Sequence, residues 1–430
     1  MLTDYSERRL KDFLTEHMLD ADCYDWGREL DRFMAEMEAV HRGKDASVKM
    51  IPCRTGRLEP VTEPVSVTAI DIGGTSVRSA VVTMDSRGIV AIERLPAFMT
   101  PGVNEEITTA EFFRRIVSRL GRHLNTERIC ICFSLANVPL KDGDAVVVAG
   151  AKQICVTDLI GKKVGESFRE AAESLGLVQR QRITVINDTV AAALGGWAEN
   201  RNQAYSGFAG FVYGTGTNLA YPESDGEYIN IESGAYCGFP CGDIDDCFDA
   251  TLTDRGKDRF EKMVSGGYQG GLMTQIIRTA VKEGLLTGGL EARLFEEMTD
   301  NPLTAEDISS FSFCPTGKNR VALACGDEQE REILERIFDA VTDRSALLCS
   351  VTVTGALLRS GFGRGAEAPV FITAEGSTYL KQKGYREQLD LRMNEYAARR
   401  YRLHYEFHPV PDAVLKGTAT AAISSYEGTP

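Results

Sequence analysis

Basic residues are scarce in this 430-residue chain: 48 Lys and Arg stand against 62 Asp and Glu, a net charge of −14. A phosphate backbone needs clustered cations, so nucleic acid is not expected as a main partner. Histidine is rarer still, with five (His17, His41, His123, His404, His408). None lies beside the cysteine group Cys237, Cys241 and Cys247, which has no C-x-x-C pair and fits zinc spacing poorly. No apolar run approaches the length of a membrane span, and the start carries no signal-peptide core, so no membrane partner is expected. The eleven cysteines are scattered, which suits reduced thiols and a cytoplasmic setting. A Gly-x-x-x-x-Gly-Lys-Ser/Thr loop is missing, which argues against a P-loop nucleotide site. With 43% hydrophobic and 26% charged residues the composition is that of an ordinary globular protein. The length exceeds what one core usually holds, so two domains are expected.

Against these absences stand two turn motifs, Asp71-Ile72-Gly73-Gly74-Thr75 and Gly214-Thr215-Gly216-Thr217-Asn218. Each lies between runs that read as strands: 65–70 and 77–83 around the first, 208–213 and 219–221 around the second. Glycine leaves backbone N–H groups unhindered, and threonine adds hydroxyls, a combination suited to oxyanions. Two such hairpins suggest two similar half-structures facing one polyphosphate.

Elsewhere the period predicts helix over 6–41, a polar connector over 54–64, a strand at 88–94 and a helix over 109–124. Strands follow at 128–135 and 182–186, with a helix over 162–175 between them. Further helices are expected over 189–199, 256–283, 290–298, 328–360 and 382–397, with strands at 370–374 and 403–407 and a last helix from Val414. Strands and helices alternate twice over, which is α/β architecture with two sheets.

Asp188 ends a β-branched strand and opens a helix. It reads either as a helix N-cap or as a carboxylate facing a cleft, where it suits a general base on a hydroxyl. Asp71 precedes the first Gly-Gly turn and suits Mg²⁺ held through water. One acid on metal and one on an acceptor hydroxyl is the arrangement of phosphoryl transfer to an alcohol. Ser134, Lys152, Asn218 and Glu232 are the other polar candidates.

Residues 71–78 (DIGGTSVR), 187–191 (NDTVA), 214–221 (GTGTNLAY), 230–236 (NIESGAY) and 259–268 (RFEKMVSGGY) together resemble the eukaryotic-type hexokinase family. Residues 33–52, 342–348 (TDRSALL) and 373–379 (TAEGSTY) extend the likeness in family order. The resemblance implies the fold of the actin, heat-shock-chaperone and sugar-kinase superfamily: two domains of ribonuclease H-like type, each a mixed sheet flanked by helices, with ATP in the cleft. The expected small domain is 61–187 with 416–430, and the large one 1–60 with 188–415, carrying most of the nucleotide and sugar site.

It further implies an ATP-dependent hexokinase acting on the 6-hydroxyl of a hexose, glucose first, with Mg²⁺. The alternatives are a kinase for another hexose or amino sugar, or a sugar-sensing regulatory protein. Asp188 matches the catalytic base, and Lys152 a residue acting on sugar and phosphoryl group. Ser134, Asn187, Asn218 and Glu232 match sugar contacts. Asp71, Gly73, Gly74, Thr75, Ser76, Arg78, Gly214, Thr215, Gly216, Gly376 and Ser377 match the nucleotide side. Three places depart from the pattern: Ala151 stands for threonine, 133–137 runs Phe-Ser-Leu-Ala-Asn, and Gly271 stands where a sugar-binding glutamate is expected. The last leaves one side of the sugar pocket open or filled by water.

Overall fold

The computed structural model describes residues 2–56, 58, 61–148, 150, 154–177, 181–224, 226–295 and 302–423. In chain order its strands begin with β1 (Ile51–Arg54), β2 (Val65–Ile72), β3 (Ser76–Asp85), β4 (Gly88–Met99) and β5 (Glu106–Ile107). β6 (Arg128–Phe133), β7 (Asn137–Pro139), β8 (Ala145–Val147), β9 (Cys155–Val156) and β10 (Arg182–Ile186) follow. The second half carries β11 (Gly207–Tyr213), β12 (Thr217–Ser224), β13 (Glu227–Asn230), β14 (Val370–Glu375) and β15 (Tyr405–His408).

Two large mixed sheets result, ordered β10-β6-β2-β3-β4 and β15-β14-β11-β12-β13-β1. Each begins as an antiparallel meander, β2-β3-β4 or β11-β12-β13. Each then adds two parallel strands beside the first, β6 and β10 or β14 and β15. The two halves therefore repeat one topology, and each glycine turn joins the first and second strands of its sheet. β1 extends only the second sheet, pairing with β13. Pro52 is tolerated there because an edge strand leaves one side without ladder bonds.

Apolar side chains of the first sheet face two ways, because its central strands are covered on both sides. Ile70, Ile72 and Val77 pack with Phe112, Phe113 and Ile116 of the helix Thr109–Leu120. Val67, Ala69, Ala80 and Cys132 pack instead with the helices Asp188–Asn200 and Ala413–Ile423. These two helices meet backbone to backbone. A Cβ on Gly195 would lie 2.2 Å from Ala413 O, and one on Gly417 would lie 1.7 Å from Ala191 O. Only glycine permits that approach.

Several expected elements differ in detail. The helix expected over 6–41 is two, Asp4–Glu16 and Trp26–His41. Met18 takes a left-handed φ of 55°, and Asp25 starts the second helix by accepting the Arg28 N–H at 2.8 Å. Part of the connector over 54–64 belongs to β1. The helix expected over 256–283 breaks at the extended Ser265 into Arg259–Val264 and Gly266–Lys282. There the Gly266 and Gly267 N–H groups donate to Gly214 O at 2.8 Å and Thr215 O at 3.0 Å. The helices Asp243–Ala250 and Ala305–Phe313 lay outside the sequence expectation. Among the described residues one helix, Glu328–Ser360, is long and apolar enough to cross a membrane, which the sequence reading passed over. Its apolar stretch is mostly buried in the protein core.

Candidate active site

The two turns face one cleft. The first is closed by the Gly73 N–H donating to Ser76 O at 3.1 Å, the second by the Gly214 N–H donating to Gly216 O at 2.9 Å. Gly74, Thr75, Thr215 and Gly216 line a cleft of about 540 Å³ together with Ser134, Asn187, Asp188, Asn218 and Glu232. That volume suits a small polar ligand with a phosphate tail.

At the end of β10 the structure separates the two readings of Asp188. Asn187 is the N-cap: its Oδ1 accepts the Thr189 N–H at 2.9 Å and the Val190 N–H at 3.4 Å. Asp188 is left with its carboxylate in the cleft, where it accepts the Thr189 hydroxyl at 3.1 Å and a hydrogen bond from Ser134. Burial raises its pKa above the ordinary carboxylate value, the nearby Asp71 charge adds to this, and the two hydroxyl bonds oppose it. A carboxylate so placed is better suited to take a proton near neutrality.

Asp71 lies directly across the β2–β3 ladder from Arg78. Arg78 donates to Asp71 Oδ2 from Nε at 2.8 Å and from Nη2 at 2.6 Å. Burial raises the pKa of Asp71, and Arg78 holds it back. Arg78 also feels Glu375 at the end of β14. Gly376 stacks against the second turn: a Cβ on Gly376, with φ +116°, would lie 2.2 Å from Tyr213 O. Ser377 begins the following short helix, and the Thr378 hydroxyl donates to Gly214 O at 2.9 Å.

On the opposite wall Asn230 links Asn218 to Glu232. Asn218 Nδ2 donates to Asn230 Oδ1 at 2.8 Å, and Asn230 Nδ2 donates to Glu232 Oε1 at 2.6 Å. Asn218 Oδ1 accepts the Leu219 N–H at 2.7 Å and the Ser233 N–H at 3.2 Å. Glu232 holds a left-handed φ of 55°. Its pKa is raised, first by burial, with Asn230 opposing and Asp188 reinforcing.

Residues 9–196 match one family model described as Hexokinase, and residues 208–424 match a second with the same description. The chain belongs to the hexokinase family. Hexokinase-5 of Oryza sativa subsp. japonica is 24% identical over 408 residues, covering 84% of this chain and 78% of the rice protein. Hexokinase-2 of Homo sapiens is 27% identical over 393 residues, 83% of this chain. The match spans only 42% of the human protein. A Schistosoma mansoni hexokinase complexed with glucose superposes with a TM-score of 0.76 at 20% identity, covering 98% of this chain and 100% of the other. Another hexokinase crystal structure gives 0.69 at 19%, covering 97% and 99%. The fold is thus the two-domain, actin-like fold of the sugar kinases, and family and fold together support a hexose-kinase type of phosphotransferase.

Within this hexokinase fold the site departs from the sequence expectation at Gly271. Gly271 is not among the residues that line the cleft. Gly271 lies on a neighbouring cavity of about 620 Å³ that shares Gly267 and Tyr268 with the cleft. A Cβ on Gly271 would lie 2.5 Å from Phe248 Cε2, so an aromatic ring takes the side-chain space. Lys152 and Ala151 lie outside the described residues. Sequence reasoning also passed over Asn230, Asp258, Glu261 and Tyr268, the last three on the cleft wall. Asn230 and Glu232 two apart, opposite Asn218 on the next strand, was the available signal.

The donor set fits a nucleotide polyphosphate arriving with its cation. Glycines and threonine hydroxyls face the cleft from both sheets, and Asp71 stands behind the first turn. Among the described residues no group of three or more His, Cys, Asp or Glu is arranged to enclose an ion. Mg²⁺ needs no such cage, because it keeps most of its water and takes phosphate oxygens. The Cys237 group offers none either: Cys241 Sγ lies 3.6 Å from Met263 Sδ, and all the cysteines are free.

Proposed function

We propose that this chain is an ATP-dependent kinase that transfers the γ-phosphoryl group to the 6-hydroxyl of a hexose, with Asp188 as general base. The observation that carries the reading is the division of labour at β10. Asn187 caps the helix, so the carboxylate of Asp188 faces the cleft between two glycine turns. Asp188 takes the proton of the hydroxyl late, as its oxygen bonds to phosphorus. The bond from phosphorus to the bridging oxygen of ADP breaks, and ADP leaves. Asp71 with the first turn would hold the water shell of Mg²⁺, which when bound would neutralise charge on the phosphates.

Ser134, Asn187, Asn218 and Glu232 supply polar atoms for sugar hydroxyls around Asp188. By resemblance Lys152 adds a cation for the sugar and the transferring group. Gly73, Gly74, Thr75, Ser76, Arg78, Gly214, Thr215, Gly216, Gly376 and Ser377 surround the nucleotide. Closure of the domains over a bound sugar would exclude water and restrain ATP hydrolysis. The free thiols suit a reducing, cytoplasmic setting.

Glucose is the first substrate to try. The Phe248 ring against Gly271 favours a second reading within the same chemistry, in which another hexose or an amino sugar is preferred. A coupled ADP-release screen over a dozen hexoses with Mg²⁺ATP tests both. Release that depends on sugar is expected. Release indifferent to every sugar overturns the sugar-kinase reading, and no release with any sugar overturns it in favour of a sugar-sensing protein without turnover.

A further inference from the structure

One carboxylate joins the two walls of the cleft. Glu261 projects from the short helix Arg259–Val264 and lines the cleft. Its Oε2 accepts the Thr217 N–H at 3.1 Å, where the second turn enters β12. A Cβ on Gly216 of that turn would lie 2.4 Å from the same oxygen. On the other side a Cβ on Gly234 would lie 2.9 Å from Oε2 and 3.3 Å from Glu261 Cβ. Gly234 belongs to the 3-10 turn Ser233–Ala235, which follows Glu232 directly. The Glu261 side chain thus fills the space denied to a side chain at 216, and at 234 it shares that role with Thr217 O, which a Cβ would meet at 2.8 Å.

The helix carrying it is firmly seated. The Phe260 N–H donates to Tyr236 O at 2.9 Å. Lys262 Nζ, buried, meets Asp249 Oδ1 at 2.7 Å. Fully buried Arg344 reaches Met263 O at 3.4 Å and holds Asp245 at 2.9 and 3.1 Å. A rigid group wedged between two ligand-bearing segments transmits the displacement of either to the other, because close-packed contacts do not deform continuously.

We infer that Glu261 is a positioning residue that couples the sugar-side loop, 232–235, to the phosphate-side turn, 214–217, so that each ligand tightens the binding of the other. The inference rests on the kinase reading. Coupling of this kind is reciprocal, and a ratio of binding constants measures it. A role confined to stability would weaken both ligands alike and leave that ratio unmoved.

The test is calorimetric binding of a non-hydrolysable ATP analogue with Mg²⁺, in the absence and presence of saturating glucose. In the wild type glucose should tighten the analogue about 5-fold or more. E261A should bring the ratio to within about twofold of one. E261Q, which keeps an oxygen acceptor of equal reach, should restore most of it. Gly234→Ala, which presses from the sugar side on the carboxylate and on Thr217 O alike, should also change the ratio. Thermal unfolding checks each variant, and if E261A does not fold, the shorter Glu261→Asp, which loses reach to Gly216, should lower the ratio and decides. A wild type that binds only one ligand, or neither, with glucose and with every other hexose of the ADP-release screen overturns the kinase reading and the coupling with it. A wild type that binds both, with a ratio that folded E261A or Gly234→Ala leaves unchanged, overturns the coupling alone.

Discussion

Asp188→Asn and Asn187→Ala should fail in opposite ways. Asp188→Asn keeps shape and the bonds to Thr189 and Ser134 within reach, but the amide cannot take a proton. Turnover should fall about 10²–10⁴-fold, the usual worth of a positioned general base, or about 3–5 kcal/mol of barrier. Stability should hold or rise at neutral pH. The carboxylate is buried, stands near Asp71 and has a raised pKa, so its charge opposes folding. Asn187→Ala removes a cap that accepts two backbone N–H groups, which should cost about 1–2 kcal/mol of stability. Steady-state kinetics and denaturant unfolding on both variants make the comparison. The wild-type acid limb adds a check: activity needs the ionised base, so kcat/KM should fall as pH drops through a value above the ordinary Asp value of about 4. An Asp188→Asn enzyme with near-normal turnover and a lowered unfolding midpoint would refute the assignment and return Asp188 to a capping role.

Asp71→Asn leaves the shape of the first turn and removes the charge behind the cation, so the Mg²⁺ needed for half-maximal rate should rise about 10–100-fold; an unchanged Mg²⁺ titration would contradict its role. Gly271→Glu should not lower the glucose KM, because its Cβ meets Phe248 at 2.5 Å, and overpacking should cost about 1–3 kcal/mol in thermal unfolding. If that variant folds like the wild type and binds glucose more tightly, the account of the Phe248 ring is wrong. His17 is buried. Burial pulls its pKa down, but the bonds to Asp243 and Glu283 outweigh this and leave it raised. Its contribution to stability should therefore be complete below about pH 6.5 and lost as pH rises through the folded value. An unfolding midpoint whose pH dependence is the same in His17→Gln would contradict this.

The turns and their acids were legible because hairpin glycines and a carboxylate at a strand end are local signals. So was the repeated α/β plan, since two meanders each leave their own periodic record. The break at Ser265 was not, because it follows from carbonyls of a turn 50 residues earlier in the chain. Glu261 escaped for the same reason: within its helix it reads as one charged residue among several, and only the distant Gly216, Thr217 and Gly234 reveal what it touches. Nor could the sequence show that the Phe248 ring, 23 residues away, stands 2.5 Å from where a Gly271 Cβ would lie. In each case a contact between distant segments decided the outcome.

The backbone contact between the helices Asp188–Asn200 and Ala413–Ile423 has a mechanical consequence. Both glycine pairings leave no slack for sliding, so the two helices behave as one axle with a sheet bearing on either side. Asp188 sits at the end of that axle, whereas the two glycine turns ride on the rims. Were one half to swing toward the other, as the kinase reading implies, rim residues would sweep through an arc and the hub would scarcely travel. On the kinase reading Asp188 would then be the fixed point of the machine, and it is the phosphates that would be carried to it.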